Sequence, residues 1–261
     1  MSTQDIIQSA HNPKIQLVRS LMNQNKARKK QQAFVAEGVR LIEDGLDSSI
    51  PLKFMLRKAD PSPRAVELLE SLGENQEILT VEEHLFDELS DTGHSQGVLG
   101  VFEQKALSLP ENPNFLVILD QIRDPGNLGT ILRSAEAAGA QAVILPPGNT
   151  DAFAPKVVRA GMGAHFRLSI LQLPWEVVKH LVEGLPVFHA DMNGALTYWE
   201  ADFDQALVLL IGGEAEGISE EGQKILTHSV RIPMKGKTES LNAAISASIL
   251  MIEVLRQRSQ V

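Results

Sequence analysis

Apolar residues follow two different patterns along the chain, and the pattern changes near residue 104. Before that point, short apolar runs alternate with amphipathic stretches. The spacing of Ile15, Val18 and Leu21 predicts a helix that leads into a basic tract. This helix start and the basic tract cover 12–30, predicted helices cover 38–46 and 64–72, and predicted strands cover 34–36, 53–56, 78–81 and 97–102. Residues 1–104 are therefore predicted to form a small α/β domain.

A second pattern begins after residues 105–114, which contain two prolines and few apolar residues and are predicted to be a linker. The runs 115–119 and 207–211 are continuously apolar, as in strands buried on both faces of a parallel sheet. Predicted strands cover 115–119, 142–145, 166–170, 187–190, 207–211 and 230–232, and predicted helices cover 128–138, 155–161, 175–182, 220–227 and 241–258. This alternation predicts an α/β domain with a mostly parallel sheet over 115–261.

The composition, with 43% hydrophobic and 22% charged residues, is that of an ordinary globular protein. The absence of cysteine excludes disulfides, thiolate metal sites and a cysteine nucleophile. No apolar run is long enough for a transmembrane helix, and the first residues lack the apolar core of a secretion signal. We therefore expect a cytoplasmic protein that does not interact with membranes.

Charge is distributed unevenly along the chain. The first 40 residues carry seven basic and two acidic residues, a net charge of +5, which leaves −14 for the rest because the total is −9. A basic segment on an acidic body is typical of an arm that contacts phosphate, although a solvated helix face would have the same charge. The candidate RNA-binding residues are Lys14, Lys26, Arg28, Lys29, Lys30 and Arg40.

Several common enzyme motifs are absent. No G-x-G-x-x-G follows the strand over 115–119, and Gly161 and Gly163 are better explained as the end of a helix. Neither a Walker motif nor a G-x-S-x-G elbow occurs. The seven histidines show no metal-ligand spacing, so no metal site is predicted. These absences argue against nicotinamide-dependent, P-loop and serine-hydrolase classes.

Three polar or glycine-rich loops follow predicted strands, at 120–129, 212–217 and 233–242. Ligands of open α/β sheets bind beyond the carboxyl ends of the strands, where these loops should lie. Arg133 follows the first loop on an otherwise apolar helix. Its charge should either be paired, with Asp120 or Glu136 as candidates, or face a cleft.

The other two loops each allow a structural and a functional interpretation. Gly212 and Gly213 would let the backbone approach a ligand closely, or would simply form a tight turn. Ser240 is a good N-cap candidate for the last helix. The Asn242 amide would then be available to a ligand or to Arg133.

Together the three loops resemble the three motifs of the SpoU/TrmH family. The first is matched by residues 124–135 (DPGNLGTILRSA), the second by 210–218 (LIGGEAEGI) and the third by 232–244, which runs from IPM to SLNAA. Their order and their places after strands match as well. More loosely, residues 9–14 and 34–38 are similar to that family's substrate-binding domain, which has a ribosomal-protein-like α/β fold and helps to hold RNA.

This resemblance implies a SPOUT fold, in which a deep trefoil knot closes the C-terminal end of the sheet. It also implies a homodimer with the active site near the subunit interface, and S-adenosylmethionine bound in the knot mainly by backbone groups. The cofactor-binding positions that it implies are Gly212, Gly213, Gly217, Ile232, Met234, Ser240, Leu241 and Ala244. The catalytic positions that it implies are Asn127, Arg133, Glu214, Ser240 and Asn242.

The implied reaction moves a methyl group from S-adenosylmethionine to a ribose 2′-hydroxyl of RNA, without a metal. Arg133 would stabilise the developing negative charge, because a guanidinium holds its own proton too firmly to act as a base. Asn127 and Asn242 would orient Arg133 and the ribose. Ser240 would position the reacting groups, and Glu214 would shape its loop or pair with Arg133. We expect ribosomal RNA as the substrate; transfer RNA, an assembly factor without catalysis and a small-molecule enzyme are the alternatives.

Overall fold

The computed structural model of the chain describes residues 6–73, 76–91, 93, 95–105, 107–213 and 217–259. The chain divides into two compact units. The first comprises Met1–Lys105 and Phe153–Phe166, and the second comprises Ala106–Ala152 and Arg167–Val261. The second unit is therefore not the uninterrupted stretch 115–261 that the sequence predicted.

The first unit is built on a four-stranded sheet of order β1-β4-β2-β3. Strand β4 is antiparallel to both neighbours, whereas β2 and β3 are parallel. Its elements up to residue 103 are α1 (Pro13–Asn23), α2 (Asn25–Gln31), β1 (Ala33–Glu37), α3 (Val39–Leu46), β2 (Leu52–Lys58), α4 (Pro63–Ser71), β3 (Ile78–Val81), α5 (Glu83–Asp87) and β4 (Val98–Glu103).

Capping residues explain where the helices of the first unit begin. Asn12 accepts a hydrogen bond from the Lys14 amide at the start of α1, and Pro13 follows as the first helical residue. The basic tract that was predicted to follow the first helix forms a second helix, and Gln24 is extended between α1 and α2.

An apolar layer covers each face of this sheet. One includes Ile15, Val18 and Leu21 of α1. The other contains Phe34 and Phe102 together with residues of the 153–166 segment, such as Phe166, whose ring lies 4.8 Å from that of Phe102. The segment packs here because its aromatic side chains complete this layer.

The second unit is built on a seven-stranded sheet of order β7-β6-β5-β10-β8-β11-β9, in which every pairing is parallel. This confirms the predicted mostly parallel sheet. The elements from residue 115 onward are β5 (Phe115–Asp120), α6 (Pro125–Ala137), β6 (Ala142–Leu145), α7 (Pro155–Ala160, in the first unit), β7 (Ser169–Gln172), α8 (Trp175–Leu181), β8 (Val187–Ala190), β9 (Leu196–Thr197), β10 (Leu207–Gly212), α9 (Glu220–Ile225), β11 (His228–Arg231) and α10 (Ala243–Arg258).

Two central strands and two helices form the frame of this unit. Strands β5 and β10 lie side by side, and β5 is buried along its whole length. Helices α6 and α10 pack against each other, and the hydroxyls of Ser134 and Ser248 are hydrogen-bonded at 2.8 Å. From β5 the chain builds outward through β6 and β7, while the later strands lie on the other side of β5. The strand order therefore reverses between β5 and β10, where ligands of such sheets bind.

The predicted elements differ from the observed ones mainly where an element is short. Helix α5 has five residues and β9 has two, which is too few for a periodic pattern. Strand β7 begins at Ser169 rather than Phe166, because residues 164–166 form a turn of 3₁₀ helix. Among the described residues, no helix is long and apolar enough to cross a membrane.

Candidate active site

The loops that follow β5, β10, β8 and β11 lie at the carboxyl edge of four neighbouring strands. Parallel pairing brings all these strand ends to one edge of the sheet. Two of these loops, after β5 and β10, were predicted as site loops, and so was the segment 233–242 that follows β11. The loop after β8 was not.

The loop after β5 is held by hydrogen bonds from both sides. The Asp124 carboxylate accepts a hydrogen bond from the Asn127 amide at 2.8 Å and so caps α6. On the other side, Asn149 accepts from the Ile122 amide and donates to the Leu119 carbonyl. Between these anchors Gln121 has a φ of 62°, a left-handed conformation that a non-glycine residue adopts only under local constraint.

The glycines after β10 are packed against the chain's own backbone. A Cβ on Gly213 would lie 2.6 Å from the Gln121 carbonyl oxygen, and one on Gly212 would lie 2.5 Å from the Gly217 carbonyl carbon. Gly213 and Gly217 also exchange two backbone hydrogen bonds of 3.0 Å. The sequence left open whether these glycines allow a close approach to a ligand or only a tight turn. In the structure the backbone at Gly212 and Gly213 does make a close approach, but to other backbone atoms of the chain. Glu214, predicted as catalytic, lies outside the described residues.

A buried carboxylate connects the same two loops. Asp120 is fully buried, and its Oδ2 accepts a hydrogen bond from the Ser219 amide at 2.6 Å. Ser219 in turn caps α9 by accepting from the Gly222 amide. Asp120 thus fixes the end of the β10 loop and is not the partner of Arg133.

Two asparagines join the first and third predicted motifs. The Asn242 amide nitrogen donates to the Asn127 Oδ1 at 2.9 Å. The Asn242 Oδ1 accepts from the amides of Ala244 and Ile245, so Asn242 is the N-cap of α10. The prediction that Ser240 caps this helix is therefore wrong: α10 begins two residues later, and the Ser240 side chain is exposed.

Arg133 is exposed to solvent on α6. Glu136, one suggested partner, is paired with Arg167 at 2.8 Å instead. Within the part of the chain that the structure describes, no carboxylate pairs with Arg133. The salt-bridge interpretation from sequence is therefore wrong for both named partners, and the guanidinium remains available to a ligand.

One cavity brings together four of the predicted cofactor-binding residues, Ile232, Met234, Ser240 and Leu241. The loop after β8 and the first turns of α10 complete its lining with Ala190, Asp191, Met192 and Ser246. The cavity encloses about 100 Å³, less than the roughly 300 Å³ at the lower end for small-molecule sites. It therefore encloses only part of a larger ligand.

Sequence reasoning missed Ala190, Asp191 and Met192 at the other side of this cavity. The segment after β8 carries no glycine motif or helix cap, so no local pattern marked Asp191 and Met192. The parallel order of β8 beside β10 was the only available signal, because it brings the end of β8 to the same edge. Of the other predicted cofactor positions, Gly212, Gly213 and Gly217 lie in the β10 loop, and Ala244 is buried in the first turn of α10.

The basic residues of the first unit separate into two groups. Lys26, Lys29, Lys30 and Arg40 are exposed, and Lys14 is paired with Glu77 at 2.8 Å. Arg28 differs, because it is 5% exposed and donates to the carbonyls of Leu21 and Met22 at the end of α1. The expectation that Arg28 contacts RNA is corrected: its guanidinium satisfies helix-end carbonyls.

The fold is an α/β domain of the doubly wound type, and its cavity lies at the carboxyl edge of the sheet, beside the ends of β8 and β11. The chain belongs to the SpoU rRNA methylase family, because the model of that family matches residues 114–252, more than half of the chain. Residues 12–100 match the MRM3-like substrate-binding domain.

Individual relatives are similar over nearly the whole chain. The 23S rRNA (guanosine(2553)-2′-O)-methyltransferase RlmP of Bacillus subtilis is 30% identical, over 94% of this chain and 97% of its own. The AdoMet-bound rRNA methyltransferase of Sinorhizobium meliloti superposes with a TM-score of 0.83 at 32% identity and covers 97% of both chains. The SpoU methyltransferase AviRb of Streptomyces viridochromogenes, in complex with AdoMet, superposes with a TM-score of 0.84 at 29% identity, over 95% of this chain and 99% of its own.

Proposed function

We propose that this protein transfers the methyl group of S-adenosylmethionine to the 2′-hydroxyl of a ribose in ribosomal RNA, in the cytoplasm where ribosomes are made. The observation that carries the proposal is the convergence of three separated segments at one sheet edge. There Asn242, the N-cap of α10, donates a hydrogen bond to Asn127 in the first turn of α6, the helix that bears Arg133, and its neighbours Ser240 and Leu241 line the cavity. The RlmP and AviRb relatives support the reaction class.

The cavity suits the cofactor chemically. Its apolar side chains, Ile232, Met234 and Leu241, suit a flat base, while Ser240 and Asp191 offer polar groups to a sugar. When bound, S-adenosylmethionine supplies an activated methyl group on a positively charged sulfur. We propose that the residues of the β10 loop, Gly212, Gly213 and Gly217, complete the site with their backbone groups.

The chain's own contribution to the reaction is orientation and charge stabilisation. An acceptor hydroxyl is a very weak acid, so negative charge that develops on its oxygen must be stabilised. The exposed guanidinium of Arg133 can do this and can hold the adjacent phosphate with two parallel hydrogen bonds. The hydrogen bond between Asn242 and Asn127 ties the start of α10 to the first turn of α6, the helix that carries Arg133, and so would help to orient the guanidinium. A phosphate oxygen or water takes the proton, since Arg133 does not release its own.

Replacing Arg133 tests this proposal directly. Arg133→Ala should lower transfer of a labelled methyl group to RNA by at least about 100-fold, the usual effect of losing a charge-stabilising donor. Binding of S-adenosylhomocysteine should change less than twofold, because the cavity lining does not include Arg133. Arg133→Lys keeps the charge but not the planar fork and should be intermediate. Turnover at the normal rate in Arg133→Ala would remove Arg133 from the mechanism.

The substrate is tested by mapping 2′-O-methyl groups in RNA from cells with and without the protein. One site lost from ribosomal RNA is the expected result. A lost site in transfer RNA would move the enzyme to that substrate class. No lost site in any RNA, together with no transfer in vitro, would leave an RNA-binding assembly factor without catalysis.

We further propose that the first unit binds the RNA through its exposed lysines. Replacing Lys26, Lys29 and Lys30 with alanine removes up to three phosphate contacts, so the slope of log affinity against log salt should fall by about 2–3. Arg28→Ala serves as a contrast, because that buried side chain should affect stability and not the slope. An unchanged slope in the triple variant would mean that these lysines only solvate the helix.

A homodimer with a knotted C-terminal region completes the proposal. On α10, Ile245, Ile252 and Leu255 point to one side and are 52%, 49% and 38% exposed. Such a row of large apolar side chains on one helix is typical of a subunit interface, and Ile245 begins it one turn from Asn242. The insertion of β11 between β8 and β9 supports the knot. A monomer in sedimentation at micromolar concentration would contradict the dimer.

A further inference from the structure

Asp191 is the first residue after β8 and lines the cavity, yet neither its position nor its side chain belongs to any motif. Its backbone is held on both sides. The Asp191 amide donates to the Val230 carbonyl at 2.8 Å, and its carbonyl accepts from the Gly194 amide at 3.0 Å. The position of this residue at the cavity is therefore set by strand β11.

Close packing holds the whole turn in place. A Cβ on Gly194 would lie 2.5 Å from the Val230 carbonyl carbon, so only glycine lets the turn lie against β11. The Arg231 guanidinium donates to the carbonyls of Gly194 and Ala195 at 3.0 and 3.2 Å. The nearby cation thus fixes the turn through backbone oxygens.

The carboxylate itself is oriented but not neutralised. Its Oδ1 accepts a hydrogen bond from the Asn193 amide at 2.7 Å, which fixes the side-chain rotamer. Across the described residues, no lysine, arginine or histidine forms an ion pair with Asp191, and Oδ2 accepts no hydrogen bond. A fixed carboxylate oxygen at a ligand cavity is an acceptor for the ligand's own donors.

The position of Asp191 in the fold indicates which groups of the ligand donate hydrogen bonds to it. In doubly wound sheets, an acidic residue at a strand end accepts hydrogen bonds from the ribose hydroxyls of a bound nucleotide. A carboxylate facing the sulfonium would instead stabilise the charged ground state and lower catalytic efficiency. We propose that Asp191 accepts hydrogen bonds from the ribose hydroxyls of S-adenosylmethionine; this rests on the proposed function for the identity of the cofactor.

Calorimetric titration with product and a fragment tests this assignment. S-adenosylhomocysteine contains adenine, ribose and the amino-acid chain, whereas 5′-methylthioadenosine lacks the amino-acid chain but keeps the ribose. Asp191→Asn keeps the acceptor for Asn193 and removes the charge, so the turn should remain folded. Both ligands should bind this variant roughly tenfold more weakly, a difference of about 1.4 kcal/mol.

A ligand that lacks a donor sharpens the test. The 3′-deoxy and 2′-deoxy forms of S-adenosylhomocysteine should bind the unaltered protein more weakly than the parent compound. At least one of them should lose little further affinity in Asp191→Asn, because the contact is already gone. Asp202→Asn is the matched control, since Asp202 also accepts from a backbone amide two residues on but does not line the cavity; it should bind all ligands normally.

The possible negative results of these binding experiments lead to different conclusions. Unchanged binding of both ligands to Asp191→Asn, with normal binding to the unaltered protein, would overturn the assignment and leave the proposed function intact. Loss for S-adenosylhomocysteine but not for 5′-methylthioadenosine would also overturn it, since the carboxylate would then contact the ammonium group. If the unaltered protein bound neither ligand, the cofactor itself would be wrong. Melting temperatures of the ligand-free variants verify that the fold is kept.

Discussion

The two chain segments that we propose as the two sides of the cofactor site, the loop after β10 and residues 234–241, are built in opposite ways. The loop after β10 lies against Gln121, closes on itself through paired bonds of Gly213 and Gly217, and is anchored to Asp120. In contrast, residues 234–241 make no hydrogen bond within the part of the chain that the structure describes, and most are exposed. The loop after β10 is thus held by contacts along its length. In the described ranges of the chain, residues 234–241 are held by hydrogen bonds only at Asn242, which follows them.

Adding one methyl group to each segment should expose this difference most clearly. Gly213→Ala places a Cβ 2.6 Å from the Gln121 oxygen and should lower the free energy of unfolding by about 1–3 kcal/mol or more. Gly236→Ala, in the second segment, meets its nearest atom only at 4.0 Å and should change stability by less than about 0.5 kcal/mol. Urea unfolding measures both. Equal effects would mean that the two segments are not differently constrained.

Replacing Asn242 should have a smaller effect on stability, and two different replacements separate its structural role from its role in the reaction. Asn242→Ala removes the N-cap of α10 and should cost about 1 kcal/mol of stability. Asn242→Asp keeps the capping oxygen but loses the donor to Asn127. We expect Asn242→Asp to melt close to the unaltered protein and still transfer methyl groups slowly. Normal activity in Asn242→Asp would show that the Asn127 contact is dispensable.

The smallest effect concerns α9, which follows the constrained loop. Hydrogen bonds from Lys179 and then Lys224 lower the pKa of Glu221 to about 2, below its ordinary 4.5. A lowered folded-state pKa contributes stability above the unfolded pKa and loses it as pH falls from about 4.5 toward 2. Glu221→Gln should therefore melt slightly lower at pH 7, with the gap narrowing below pH 4.5. Glu220→Gln, its exposed neighbour, is the control, and a gap independent of pH would contradict the assignment.

The sheet could be predicted from sequence because its strands are continuous apolar runs. Leu207–Ile211 and Phe115–Leu119 cannot be buried on one face only, so a parallel sheet with helices on both faces follows. The positions of the three motif loops followed from that order. Helix α6 began earlier than predicted because Asp124 and Pro125 form a cap and first turn.

What could not be predicted depends on contacts between distant residues. Spacing cannot show that Gly213 meets Gln121, or that Glu136 is taken by Arg167 and leaves Arg133 exposed. Spacing also cannot show that Asn242, the cap of the last helix, is hydrogen-bonded to Asn127, more than a hundred residues away. Asp191 was missed for the same reason, since the pairing of β8 with β10 and β11 brings it to the cavity.

The segment 153–166 has a consequence for how this protein can be divided and exchanged. It lies between β6 and β7 in the chain, yet Phe153, Val158 and Phe166 complete an apolar layer of the first unit. A fragment ending at residue 105 would expose the rings of Phe34 and Phe102 to water. Grafting a different N-terminal unit onto this catalytic sheet would therefore require the grafted piece to bring its own version of this segment. During synthesis, that layer closes only after residue 166 has emerged from the ribosome.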